Sequence, residues 1–152
     1  MLSKREFNRM KGPIYRVIDA NFNRVREGLR VCEEFARFVS NDKDLTEDFK
    51  RARNRVSKLY NSFLNDRKFL FFARNVAKDV GRRGFRFERQ RSKSLDVFWA
   101  NLHRSKEALR VLEEFTKLLD GNTSDDFRRL RYKLYELEKK AFKKLQALLS
   151  FR

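Results

Sequence analysis

The chain has 152 residues, of which 38 are Lys or Arg and 21 are Asp or Glu, so its formal net charge is +17. This length fits one domain with a substantial core and leaves no room for a large two-domain enzyme. One Cys and one His exclude a disulfide framework and the usual zinc sites. No signal peptide or membrane span is visible, which favours a cytoplasmic protein. The charge predicts anionic partners such as phosphates, nucleotides or nucleic acid.

Hydrophobic periodicity predicts helices in the first half of the chain. Apolar residues recur with i, i+3, i+4 spacing over residues 14–40, the pattern of an amphipathic helix that ends at Ser40-Asn41-Asp42. A second helix is predicted over about 45–65, with Thr46 as its N-cap and two acidic residues in its first turn.

Residues 66–93 differ in composition from the rest of the chain. The segment begins with an apolar run and then becomes basic, with ten Lys or Arg and two acids between Arg67 and Lys93. Connections of this length are usually functional or disordered. A solvated basic loop is one interpretation, whereas the interleaved Phe and Val residues favour a loop that is ordered in part.

The second half is also predicted to be helical. A third helix covers residues 94–119, and Gly121-Asn122 is expected to close it as a left-handed stop. Thr123 or Ser124 is expected to cap a fourth helix that runs to about 149. No segment alternates with period two for long enough to predict a strand, and five Gly and one Pro are too few for a sandwich or barrel. The predicted fold class is therefore all-α.

The two halves of the chain share an internal repeat. Residues 20–35 and 100–115 are identical at ten of sixteen positions, at an offset of 80, and Arg53 corresponds to Arg131 in the helices that follow. One αα-hairpin used twice predicts a single helical domain resembling a four-helix bundle. Its parts are repeat one at about 14–65, a long basic central loop at about 66–93 and repeat two at about 94–150.

Each copy of the repeat places an Asn and an Arg on the apolar face of its helix. At about 100° per residue, the Asn lies at the centre of that face and the Arg about 60° to one side. A Glu follows each Arg by three residues, at the border of the face. These residues are Asn21, Arg24 and Glu27 in the first copy and Asn101, Arg104 and Glu107 in the second.

Two explanations compete for these polar side chains, because buried polar groups are costly unless they are paired. One is an Arg–Glu and Asn network that fixes the register of the two halves. The other is a cleft between the repeats, in which Asn and Arg bind a ligand and Glu orients Arg or holds a metal. Gly28 and Ala108, one turn from each Arg, leave space either for a ligand or for close approach of two helices.

A second polar set in the repeat falls on the outer face of the same helices. Arg30 and Arg110 are expected there in surface ion pairs with nearby acids, and Glu33 and Glu113 belong to the same face. These four residues are predicted to be structural and exposed.

The motifs in combination resemble one known family. It is the small helical hydroxymethylpyrimidine phosphate kinase domain, found alone or fused to the N-terminus of bacterial thiamin phosphate synthase. The resemblance covers the chain from about 14 to 137. The motifs that carry it are Asp19-Ala-Asn21-x-x-Arg24-x-x-Glu27, Arg74-x-x-x-x-Asp79-Val-Gly81, Arg91-Ser92 and Asn101-x-x-Arg104-x-x-Glu107.

The resemblance implies an enzyme that transfers a phosphoryl group from ATP, with Mg²⁺, to hydroxymethylpyrimidine phosphate and so forms the diphosphate. Phosphoryl transfer depends mainly on positioning and charge neutralisation, which arginines can supply bidentately. The expected catalytic residues are Arg24, Arg104, Glu27 and Glu107. The expected substrate-binding residues are Asn21, Asn101, Arg74, Asp79, Gly81 and Arg131. The expected Mg²⁺ ligands are Asp79, Glu27 and Glu107.

Two other functions compete with this one. The charge and the Arg/Phe interleaving near residues 84–91 fit a helical nucleic-acid-binding protein, although the charge is spread over all helices and no DNA-binding motif is present. A non-catalytic scaffold that binds thiamin phosphate synthase is the third interpretation. The expected partners are thus a phosphorylated pyrimidine, ATP and the synthase, with nucleic acid less favoured and a homodimer compatible with the sequence.

Overall fold

A computed structural model gives the fold and describes residues 4–63, 67–84 and 93–149. Within these residues every regular element is helical, which confirms the all-α prediction. The elements are α1 (Lys4–Glu34), a π-helical turn (Phe35–Val39) that continues it, α2 (Lys43–Ser62), α3 (Arg67–Ala73), α4 (Ser94–Thr116) and α5 (Gly121–Leu149). No helix in this described part of the chain is long and apolar enough to cross a membrane.

Four long helices enclose the hydrophobic core. Helix α1 packs against α4 and α2, α5 packs against the same two helices, and the short α3 lies on α1. Each long helix contributes one fully buried phenylalanine. The ring of Phe22 meets that of Phe127 at 5.3 Å, and Phe49 meets Phe98 at 5.5 Å, both edge to face. These two contacts join α1 to α5 and α2 to α4, so the core ties all four helices together.

The helices that contain the repeated sequence cross at very short range. Gly28 faces α4, where an added Cβ would overlap Ser105 Oγ and lie 2.8 Å from the Asn101 carbonyl oxygen. Ser105 Oγ donates to the Val25 carbonyl at 3.5 Å, and Cys32 Sγ lies 3.6 Å from the Phe98 carbonyl. Later residues of α1 contact earlier residues of α4, from Val25 with Ser105 to Cys32 with Phe98. The two helices are therefore antiparallel. The small residue at position 28 therefore serves close helix approach and leaves no space for a ligand.

The ends of the first two helices differ in part from the prediction. Helix α1 begins at Lys4, ten residues earlier than expected, and includes Pro13. Its end is as predicted: Asn41 has a φ of 50°, in the left-handed region. Asp42 caps α2, because its Oδ1 accepts a hydrogen bond from the Leu45 backbone N–H at 2.9 Å. The prediction of Thr46 as N-cap is wrong, since its hydroxyl donates back to the Asp42 carbonyl.

The turn between α4 and α5 also corrects the prediction. Gly121 is the first residue of α5, and no glycine in the described residues has a positive φ. Asp120 caps this helix instead, since its side chain accepts from the backbone N–H groups of Asn122 and Thr123 at 3.1 and 3.2 Å. Ser124 is buried, and its hydroxyl donates to the Glu113 carbonyl at 2.7 Å. It therefore joins α5 to α4 and does not cap a helix.

The central loop is shorter than predicted. Its apolar beginning forms α3, whose Leu70 is buried, so the irregular part starts after Ala73. Residues 74–84 have turns and no regular element. The basic stretch 85–92, which includes the Arg91-Ser92 motif, lies outside the described residues.

Replacing Gly28 with Ala is expected to destabilise the fold by about 1–3 kcal/mol, because the new methyl group overlaps backbone of α4 as well as Ser105. Urea unfolding followed by circular dichroism measures the change. Gly12→Ala is the matched control in the same helix, since nothing lies within 4 Å of its added Cβ. That variant should gain about 0.5–1 kcal/mol from the better helix propensity of Ala. Equal effects of the two substitutions would contradict the close crossing.

Replacing Asp42 with Ala tests the cap and its charge. Burial alone would raise the pKa of Asp42, but hydrogen bonds from Leu45 and from Lys144, whose Nζ lies 3.0 Å from Oδ1, outweigh it and lower the pKa. The variant should be about 1 kcal/mol less stable at pH 7. Because the folded-state pKa is below the unfolded one, this contribution is complete above the ordinary pKa of Asp and disappears as pH falls through the folded value. Denaturant unfolding of both proteins from pH 7 to pH 2 should show the difference shrinking.

Candidate functional site

A cleft of about 510 Å³ lies over the outer side of α1. The segment that follows α3 crosses α1 there, and Val111 of α4 closes the opposite side. Four residues that the sequence predicts as site residues come together in it from two distant parts of the chain: Asn21 and Arg24 from α1, and Arg74 and Asp79 from the segment after α3. The lining residues are Pro13, Arg16, Val17, Asp19, Ala20, Asn21, Arg24, Arg74, Asn75, Val76, Asp79 and Val111.

An ion pair fixes one wall of this cleft. Asp19 is only 4% exposed, and Arg74 binds both of its carboxylate oxygens: Nε donates to Oδ2 at 2.7 Å and Nη2 to Oδ1 at 2.6 Å. The hydrogen bonds to Asp19 raise the pKa of Arg74. The guanidinium also lies 5.0 Å from the ring centre of Phe71, the last but two residue of α3. A bidentate pair of this kind holds the arginine in one orientation.

Two further arginines reach the cleft from α1. Both Arg16 and Arg24 are exposed. Arg16 Nη2 lies 3.5 Å from the Asn75 carbonyl, and Arg24 Nη1 lies 3.5 Å from Asn21 Oδ1. Long bonds of this kind are weak and leave the guanidinium groups free to bind anions. Arg16 was not predicted from the sequence, because nothing in its local pattern separates it from the other surface arginines.

Asn21 is buried, and a hydrogen bond to the backbone of α1 holds its side chain. Its Nδ2 donates to the Val17 carbonyl at 2.8 Å, one turn back in α1. One of the two amide N–H donors is therefore occupied, and the side-chain oxygen accepts the long bond from Arg24. Asn101 makes the equivalent bond to Val97 at 2.8 Å in α4. The two Asn residues share one conformation, as the repeat predicts.

Asp79 enters the cleft from a pair of tight turns. Its Oδ1 accepts from the Gly81 backbone N–H at 2.9 Å, and Asn75 Oδ1 accepts from the Lys78 N–H at 3.1 Å. Such side-chain-to-backbone bonds are typical of Asx turns. Gly81 lies beside this turn and does not line the cleft. The turns place an exposed carboxylate opposite the arginines.

The polar residues of the second repeat do not join this cleft. Arg104 and Glu107 are exposed, as are Arg24 and Glu27, so the prediction that the arginines project from the apolar face is wrong. They lie about 60° from the centre of that face, and the outer side of the α1–α4 pair is open to solvent there. Arg24 and Arg104 directly precede Val25 and Ser105, which touch at the helix crossing. At 1.5 Å of rise per residue, both arginines therefore lie close to that crossing.

Arg131 has a structural contact elsewhere. Its Nε donates to Glu113 Oε2 at 2.8 Å and its Nη1 to the Tyr135 hydroxyl at 3.0 Å. Arg53 makes the matching bond to Glu33 at 2.7 Å in the first repeat. The side chain of Arg131 is 12% exposed, and it does not line the cleft.

These bonds correct the prediction that Glu33 and Glu113 are surface residues. Both are 4% exposed, because α2 and α5 cover that side of α1 and α4. Arg30 and Arg110 are at the surface as predicted, and each lies 3.1 Å from its buried glutamate. The correspondence of Arg53 with Arg131 in the sequence was the signal for this paired network.

A larger groove of about 650 Å³ runs between α2 and α5. Leu130, Leu134 and Leu137 contribute its apolar lining, and the charged residues that line it form ion pairs with one another. Lys140 contacts Asp48, Arg129 lies 3.2 Å from Asp126, and Arg55 lies 3.8 Å from the same carboxylate. None of the predicted site residues lines it. The cleft on α1 is the better candidate because its exposed arginines are less fully neutralised.

No group of three or more His, Cys, Asp or Glu side chains that could hold a metal ion occurs among the described residues. Glu27 and Glu107 therefore do not form a three-carboxylate site with Asp79. Asp79 is the one carboxylate in the cleft lining that is not engaged by Arg74. Mg²⁺ often takes only one or two protein carboxylates and completes its shell with water and phosphate oxygens. One carboxylate could therefore hold Mg²⁺ only together with phosphate oxygens and water.

Comparison with known proteins identifies similar sequences. The model of the ThiD2 family matches residues 16–140. A thiamine-phosphate synthase of Nostoc punctiforme is 38% identical over 126 residues, which cover 82% of this chain and 34% of the relative. A protein of the same name from Synechocystis is 39% identical over 126 residues, with coverage of 82% and 35%. The one from Thermosynechococcus vestitus is 39% identical over 124 residues, with coverage of 81% and 34%.

The chain thus spans about a third of the length of the curated relatives it matches. No solved structure matches it significantly.

Replacing Arg131 with Ala should lower the free energy of unfolding by about 2–4 kcal/mol, because it leaves the Glu113 carboxylate buried with only an exposed partner. The control is Arg128→Ala, whose side chain is 55% exposed and pairs with Asp125 on the surface. That variant should lose at most about 0.5 kcal/mol. Chemical denaturation measures both. If Arg131→Ala and the control had equal free energies of unfolding, the structural role of Arg131 would be contradicted, and Arg131 would be available to bind a ligand.

Proposed function

The chain belongs to the ThiD2 family, and we propose that it transfers the γ-phosphoryl group of ATP to hydroxymethylpyrimidine phosphate, forming the diphosphate for thiamin biosynthesis. The names of its relatives place the family in that pathway. The observation that supports the proposal is the cleft on α1, whose lining includes Arg16, Arg24 and Arg74 together with Asn21 and Asp79.

The chemistry of this reaction matches what the cleft contains. Donor and acceptor are both phosphate anions, so their mutual repulsion is a large part of the barrier. Three guanidinium groups in one cleft oppose that repulsion, and Arg binds phosphate oxygens bidentately. The acceptor is a phosphate oxygen whose last proton has a pKa near 6, so it is ionised near neutral pH. No side chain has to remove a proton, which suits a cleft without His or Cys.

The roles of individual residues follow from their contacts. Two hydrogen bonds to Asp19 fix the orientation of the Arg74 guanidinium before a ligand binds, and this group would bind a phosphate of the substrate. Arg24 has a long contact to Asn21 and would move to the phosphoryl group as charge shifts in the transition state. The side-chain oxygen of Asn21, whose bond from Arg24 is long, would accept a hydrogen bond from the amino group of the pyrimidine.

Mg²⁺ would enter with ATP and neutralise phosphate charge, with Asp79 as its protein ligand. The turn that includes Gly81 would keep that carboxylate at the edge of the cleft. On the second repeat, Asn101 and Arg104 are proposed to contact the co-substrate on the open outer side of the α1–α4 pair. Glu27 lies one turn after Arg24, and Glu107 lies one turn after Arg104. Each glutamate would orient its arginine.

The direct test is a coupled ADP-release assay with the purified chain, ATP, Mg²⁺ and hydroxymethylpyrimidine phosphate. ADP release that depends on the pyrimidine is the expected result. If the chain is folded by circular dichroism and releases no ADP above background, the proposed reaction is refuted. The two remaining interpretations, nucleic-acid binding and a scaffold for the synthase, would then take its place.

Replacing Arg24 with Ala should reduce kcat/KM by about 10²- to 10³-fold, the usual cost of removing one charge-stabilising donor. The substitution removes a solvent-exposed side chain, so the melting temperature should stay within a few degrees of wild type. Arg128→Ala removes the same charge from an exposed site on α5 and should keep wild-type turnover. Wild-type kcat/KM in Arg24→Ala would remove Arg24 from the site.

A further inference from the structure

We infer that Asp19 is a positioning residue for the cleft: it holds the guanidinium of Arg74 in place for a phosphate, and it does so in the first repeat alone. The inference rests on the proposed function, because it takes the ligand of the cleft to be a phosphorylated substrate. It concerns a carboxylate that cannot itself bind an anion.

The contacts of Arg74 explain why an anchor is needed. Arg74 is the first residue after α3, and residues 74–84 have no regular secondary structure. Backbone geometry alone does not fix a side chain on such a segment. Asp19 lies on the rigid α1 helix, and its carboxylate holds two nitrogens of the guanidinium at 2.6 and 2.7 Å. The third nitrogen, Nη1, has no hydrogen-bond partner among the described residues, which leaves it for a ligand oxygen.

The repeat shows that this anchor is a departure from symmetry. Asn21 and Arg24 recur as Asn101 and Arg104, but the position of Asp19 is occupied by Trp99 in the second copy. The ring of Trp99 packs at 4.8 Å from that of Phe98 and at 6.2 Å from that of Phe142. An indole in this packing offers no carboxylate to an arginine. Asp19 therefore has no counterpart in the second copy of the repeat, and we expect one site per chain.

The sign of the electrostatic effect distinguishes positioning from simple charge. Asp19 is a negative group next to an anion-binding cleft, so removing its charge makes the cleft more positive. If net charge alone governed affinity, Asp19→Asn would bind phosphate ligands more tightly. If Asp19 positions Arg74, the same variant binds them more weakly, because the arginine has to be ordered on binding.

The experiment measures binding of inorganic pyrophosphate and of hydroxymethylpyrimidine phosphate by isothermal titration calorimetry. The proteins compared are wild type, Asp19→Asn, Arg74→Ala and the double variant. We expect one site per chain and an affinity that is about ten- to a hundredfold lower in Asp19→Asn. In the Arg74→Ala background, Asp19→Asn should have no further effect, since its influence passes through that arginine.

Glu33→Gln is the matched control, because Glu33 is an equally buried carboxylate of α1 that binds Arg53 away from the cleft. It should lower the melting temperature and leave affinity unchanged. Unchanged or tighter binding by Asp19→Asn, additive effects in the double variant, or no binding by wild type would overturn the inference. Normal binding by wild type without ADP release would instead refute the proposed reaction, while the comparison of variants still decides the role of Asp19.

Discussion

The close crossing of α1 and α4 is the constraint on which the rest of the structure depends. At Gly28 the two backbones are so near that no Cβ fits between them. This contact brings the two copies of the repeat together as antiparallel neighbours and leaves their Arg24 and Arg104 on the open outer side. It also fixes the positions of Val17 and Val111, between which the cleft forms. A wider spacing would separate the walls of the site.

The arginines of this basic chain divide into two groups by their partners. Arg53 and Arg131 are bound to buried glutamates and join α2 to α1 and α5 to α4. Breaking such pairs is costly, so these arginines stabilise the fold and are not available to ligands. Among the described residues Arg16 and Arg24 have only long contacts, and both line the cleft. Arg74 has both properties, since it is anchored on Asp19 and still lines the site. The net charge alone could not separate these roles.

The sequence was sufficient for the all-α class and for the approximate extent of the long helices, because periodicity reports directly on helix faces. Of the four predicted residues that line the cleft, Asn21 and Arg24 came from the repeat, whereas Arg74 and Asp79 came from the family resemblance. It was misleading for Glu33 and Glu113. A helical wheel describes one helix, whereas their burial comes from a second helix packed over them. It also mistook Gly121 for a helix stop, because the Asp120 cap can be recognised only when its bonds to the following backbone are known. Arg16 was missed for a similar reason, since only the folded chain brings it to Asn75.

The measurement that tests the central claim most directly is an NMR titration of the isotope-labelled chain with hydroxymethylpyrimidine phosphate, following the side-chain Nε–Hε signals of its arginines. The account predicts that the signals of Arg24 and Arg74 shift with one common saturation curve. The signals of Arg55 and Arg129, in the groove between α2 and α5, should not shift. Saturating shifts confined to that groove, with none at Arg24 and Arg74, would contradict the assignment of the cleft on α1 as the substrate site.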